Sequence, residues 1–181
     1  MPTSAVVTVP AGAAARTPVG TTLNFGQSAM LPANAFAAGD ALAMFTVTGI
    51  TRAEDVPEST TKGGTAYFLY ATVTSLAIHP EPAPTLVGFA GSADGKTPAL
   101  TLSPTPGLAK CPTTAPPAQM QRGESYSTCL VSVADKGTKL RQVIYWADTT
   151  GDEALDYKAG PVRWATPAPP ATAGTSSPAP Q

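Results

Sequence analysis

The sequence predicts an all-β chain, folded as a two-sheet antiparallel sandwich closed by one disulfide. Three observations carry this. About seven short alternating segments are each ended by Gly, Pro or Asp, which is the pattern of strands joined by turns rather than of βαβ units. The 20 prolines and 16 glycines are spread so that no long helix can run uninterrupted. The two cysteines, Cys111 and Cys129, flank a Pro-rich stretch, Cys111-Pro112 to Ala115-Pro116-Pro117, and a turn signal at Gly123. Cys129 opens the run Leu130-Val131-Ser132-Val133, so the preceding loop can fold back and staple to it.

Taken in order, residues 1–19 are rich in Ala, Thr, Val and Pro and are expected to form a flexible N-terminal arm. The sandwich is expected over residues 20–164. Thr21-Thr22-Leu23-Asn24-Phe25 leads to Gly26, and Ala41 to Ile50 follows the turn-like Gly39-Asp40, with Ala43, Phe45 and Val47 on one face. Tyr67 to Leu76 is the clearest strand. Tyr67, Leu69, Ala71 and Val73 form its core side, and Phe68, Tyr70, Thr72 and Thr74 a half-exposed outer side. Thr85 to Ala90, a turn at Ala93-Asp94-Gly95-Lys96, the Cys129 strand, Leu140 to Trp146 and Gly160 to Trp164 complete the series. Residues 165–181 contain no Leu, Ile, Val or aromatic side chain, so they are expected to be a disordered Pro/Ala-rich tail, partly polyproline II.

The length of 181 residues suits one domain of roughly 140 residues with loose ends. Eleven basic residues against twelve acidic ones give a formal charge of −1, with only 13% of the chain charged. Nucleic acid and anionic lipid surfaces both need clustered Lys and Arg, so neither is an expected partner. No run of about 18 apolar residues is available to span a membrane. Residues 1–10 lack the basic start and long apolar centre of a signal peptide. Paired cysteines, low charge and Ala/Thr/Pro-rich ends read as the mature part of a secreted or cell-envelope protein whose leader is absent from this chain. A cytosolic protein with two free thiols is the alternative.

The order of elements resembles the immunoglobulin-like extracellular domain of unknown function found in actinobacterial lipoproteins, similar in fold to small secreted mycobacterial immunogenic antigens. The matching pieces are the early strand at Leu23-Asn24-Phe25-Gly26, the strand Tyr67 to Leu76, the Asp94-Gly95 turn and Gly123-Glu124-Ser125-Tyr126 leading into Cys129 to Val133. Lys136-Gly137-Thr138-Lys139-Leu140 before Val143-Ile144-Tyr145 resembles the closing turn and strand. The likeness covers roughly residues 20–164. It implies an immunoglobulin-like sandwich and a cell-envelope location, and it brings no catalytic residues.

Candidate chemistry is sparse. His79, the single histidine, sits in Ile78-His79-Pro80-Glu81-Pro82 and reads as a solvated loop residue. Copper capture by His79 with Met30, Met44 and Met120 would suit soft thioether ligands, but the methionines lack close spacing. Asp148-Thr149-Thr150-Gly151-Asp152-Glu153 offers three carboxylates, yet Thr150 stands where a calcium loop wants its third-position ligand and Glu153 where it wants Gly. Glu54, Asp55 and Glu58 read as a polar loop, and Gly63-Gly64 as a turn without phosphate-loop context. No catalytic residue, metal site or cofactor is expected. The outward pair Phe68 and Tyr70 is the candidate binding face. These readings predict a non-catalytic exported envelope module in a structural or protein-binding role, with a protein or envelope partner. The alternative is a carrier of a small ligand, glycan or metal through the outward aromatics or the Met/His set.

Overall fold

In a computed structural model of the chain, residues 3–35, 41–102, 108–112, 114–147 and 155–167 are described. They form strands β1 (Thr22–Asn24), β2 (Ser28–Pro32), β3 (Leu42–Arg52), β4 (Thr65–Ser75), β5 (Phe89–Ser92), β6 (Leu100–Leu102), β7 (Ser125–Ala134), β8 (Gln142–Tyr145) and β9 (Val162–Ala165). One helical turn, α1 (Glu58–Thr61), lies between β3 and β4. The strands make two sheets, ordered β1-β9-β8-β5 and β2-β3-β4-β7-β6. This is the expected all-β sandwich, with one departure from antiparallel pairing: β1 runs parallel to β9, with Leu23 opposite Trp164.

The long strands β3 and β4 are rich in β-branched and aromatic residues and pair over most of their length, Phe45 facing Val73. A bulge between Val47 and Gly49 shifts the alternation, so that Ile50 opposite Leu69 points back to the inner side. The inner faces meet in one core containing Phe45, Leu69, Val73, Val143, Tyr145 and Trp164. Phe89 joins the sheets there, with ring centroids 5.1 Å from Phe45, 5.1 Å from Tyr145 and 5.8 Å from Trp164. Trp164 is fully buried and its indole N–H donates to the Gln27 carbonyl at 2.9 Å, which gives the polar atom a partner.

The inner face of β4 is as the alternation predicts, since Tyr67, Leu69, Ala71 and Val73 all belong to the core. Its outer face is not half exposed. Phe68, Tyr70, Thr72 and Thr74 are all buried, because two further segments lie over that side of the sheet. Thr85 to Ala90 is strand only from Phe89 onward. Gly88, at φ +86°, turns the chain immediately before it, in a conformation that side-chain-bearing residues adopt at a cost.

Candidate binding surfaces

Cys111 and Cys129 form a disulfide, with Cα atoms 5.3 Å apart and a sequence separation of 18. Cys129 pairs with Tyr70 across β4 and β7 on the outer face of the five-stranded sheet. The bridge therefore draws Leu108 to Pro112 over that face, where Leu108, Cys111, Phe68, Tyr70 and Val131 pack into a second apolar cluster. The Tyr70 hydroxyl donates to the Lys110 carbonyl at 2.7 Å and ties the loop down.

This corrects the expectation for Phe68 and Tyr70. The two rings do sit on the outer face, edge to face with centroids 6.4 Å apart. Phe68 is only 1% exposed and Tyr70 only 7%, so they are not a solvent-facing platform. The disulfide loop covers them. Burying two aromatic rings under a stapled loop removes far more apolar surface from water than leaving them outward would.

Beyond the aromatics the outer face is lined by hydroxyls. Thr72 bonds Ser127 at 2.9 Å, Thr74 bonds Ser125 at 2.8 Å and Ser28 bonds Thr46 at 2.7 Å. From Thr3 onward the arm expected over residues 1–19 lies against this face. The Ala5 amide donates to Thr72 Oγ1 at 2.9 Å, while Thr17 and Met30 exchange bonds of 2.8 Å at the β2 edge. Arg122 Nη2 donates to the Pro10 and Gly12 carbonyls at 2.8 and 2.7 Å. Ala5, Val7 and Val9 turn inward to half-burial and Val6 and Thr8 outward, the alternation of an extended segment on a surface.

The remaining candidates are dispersed. His79 is exposed. Met30 and Met44 are cross-strand partners of β2 and β3, while Met120 is buried in the core between the sheets. Glu54, Asp55 and Glu58 are exposed around the start of α1. Asp148 to Glu153 lie outside the described residues. Among the described residues no group of three or more His, Cys, Asp or Glu side chains could hold a metal ion. Asp94 is the strongly perturbed carboxylate. The amides of Thr97 at 2.7 Å and Lys96 at 2.8 Å, then the Thr97 hydroxyl, donate to it and hold its carboxyl well below the ordinary range. It locks the turn that Gly95 makes at φ +78°, a structural task.

One concave feature was not foreseen from the sequence. It is a cleft of about 640 Å³ between the sheets, at the edge where β5 and β7 face each other. β6 pairs only with Val131, Ser132 and Val133, so along Tyr126 to Leu130 no described strand continues the sheet on that side. At one end the sheets are pinned by the Gly91 amide donating to Ser132 Oγ at 2.9 Å. At the other, the Tyr126 hydroxyl donates to the Pro84 carbonyl at 2.6 Å, and burial pushes that phenol up to about 12, so it stays a donor. Leu86, Phe89, Leu130 and Trp146 line the walls, and no charged side chain does among the described residues.

These elements define an immunoglobulin-like β-sandwich with one sheet roofed by a disulfide loop. No protein-family model and no curated protein matches the chain. Among solved structures it is similar to a secreted protein of Mycobacterium tuberculosis, MPT63, known from a crystal structure at 1.5 Å. The identity is 20%, the match covers 80% of this chain and 95% of that one, and the TM-score is 0.53. The likeness is one of fold.

Proposed function

We propose that the chain is a non-catalytic exported module of the cell envelope, acting in a structural or protein-binding role. The Cys111–Cys129 bridge carries this reading, because such bonds persist in oxidising compartments and are reduced in most cytosols. Likeness in fold to a secreted mycobacterial protein supports export, and the resemblance to domains of actinobacterial lipoproteins supports the envelope. In this reading residues 20–164 are the working module, residues 1–19 its arm, and the Pro/Ala-rich residues 165–181, of which 168–181 lie outside the described residues, a tether. Fractionation of the source cells, with thiol alkylation and intact mass, tests it. Recovery in envelope or culture fluid with both cysteines oxidised is expected. Recovery in the cytosol with two free thiols would overturn it.

A further inference from the structure

The cleft between β5 and β7 is built to bind rather than to pack. A sandwich normally closes the space between its sheets with its own side chains, at the density of an organic crystal. Here the last described pair of β6 with β7 is Leu102 with Val131, and among the described residues the inner face of Tyr126 to Leu130 looks across at Leu86, Phe89 and Trp146. Thr128 and Leu130 are only half-buried although they point inward, and at the rim Val87 is 46% exposed. The volume of about 640 Å³ lies within the roughly 300–1,000 Å³ typical of small-molecule sites. The sheets are pinned at Ser132 and again at Tyr126, and between these bonds the lining runs along β7 from Tyr126 to Leu130, four strand steps or about 13 Å.

We propose that this cleft is a binding site for a linear aliphatic molecule with an uncharged head, such as a long-chain alcohol. This goes beyond the structural or protein-binding role and holds whether or not the chain is exported. The walls supply aliphatic and aromatic carbon for the chain. The lining side chains also include hydroxyl bearers, Thr85 and Thr114 among them, and the indole of Trp146. Hydroxyls can meet an alcohol head, but no Lys, Arg or His in the lining could offset the desolvation of a carboxylate or phosphate.

N-phenyl-1-naphthylamine, a neutral apolar dye, is the probe, and 1-hexanol, 1-octanol, 1-decanol and decanoate are the competitors. Saturable dye fluorescence is expected, displaced by the alcohols with affinity rising about fourfold per added methylene, and by decanoate at least tenfold more weakly than by decanol. Val87→Asp changes a rim residue that is 46% exposed and is expected to weaken dye binding at least threefold. Val87→Ser, expected to weaken it about twofold, stands in if that variant does not fold. Ile78→Asp alters a residue 79% exposed outside the cleft and is expected to leave binding unchanged. Absence of saturable fluorescence, equal displacement by decanoate, indifference to the rim variants, or an equal loss in Ile78→Asp would each overturn the proposal.

Discussion

The outer face of the five-stranded sheet is covered twice, by different means. Over Phe68, Tyr70 and Val131 the cover is the loop at Leu108 to Pro112, fixed covalently by Cys111–Cys129 and packed on rings. Over Thr72, Thr74 and their serine partners it is the N-terminal arm, fixed only by hydrogen bonds, to Thr72, Met30 and Arg122. The surface beneath explains the difference. Exposed rings would cost apolar burial, so their cover is held permanently. A ladder of hydroxyls already bonded to one another loses little on meeting water, so a weak cover suffices.

The largest effect should come from the aromatic side. Phe68→Ala should destabilise the fold by about 3–5 kcal/mol, read by urea denaturation, because it empties a site that a stapled loop cannot collapse into. A loss under 1 kcal/mol would mean the loop does not pack on the ring. Reducing the disulfide should cost about 3 kcal/mol for a sequence separation of 18 in the chain-entropy account, and should also raise binding of an apolar dye as Phe68 and Tyr70 become accessible. An unchanged melting temperature on reduction would erase the contrast between the two covers.

On the hydroxyl side the effects should be smaller. Thr72→Val removes the acceptor of the Ala5 amide and the partner of Ser127, and should cost about 1–2 kcal/mol. Hydrogen exchange should quicken in residues 3–9 and stay unchanged at 108–112; quickening in both would show that the two covers are coupled. The smallest effect belongs to Arg122→Gln, which loses exposed bonds to the Pro10 and Gly12 carbonyls and should cost about 0.5–1 kcal/mol while speeding proteolysis of the arm. Protease resistance equal to the parent would place the arm's anchor elsewhere.

Much of this architecture is legible in the sequence where periodicity or scarcity speaks. The alternation of residues 65–75 sorts both faces of β4 correctly, and two cysteines allow one intramolecular pairing. What covers a face is not written in the strand itself. Thr72 and Thr74 read as half exposed because nothing in the local pattern announces that Ala5, 67 residues away, will donate to Thr72. β2 escapes notice because Ser28-Ala29-Met30-Leu31-Pro32 lacks β-branched residues and ends in proline, which an edge strand tolerates. β6 is only three residues long. The cleft was hidden for a related reason. It lies between two sheets beside Tyr126 to Leu130, and which residues of distant segments face one another there is decided by strand registers, not residue types.

The parallel pairing of β1 with β9 has a mechanical consequence. Thr22, Leu23 and Asn24 lie beside Arg163, Trp164 and Ala165, the first strand of the sandwich against its last. Tension applied through the two ends of the chain pulls these strands in opposite directions along their common axis. The bonds between them are then loaded together, in shear, instead of parting one at a time as in a hairpin opened from its tip. Arg163 adds a side-chain bond to Thr22 Oγ1 at 2.6 Å, and Trp164 is buried immediately behind the seam. A module strung between an arm and a tail thus meets pulling force at its most firmly backed ladder.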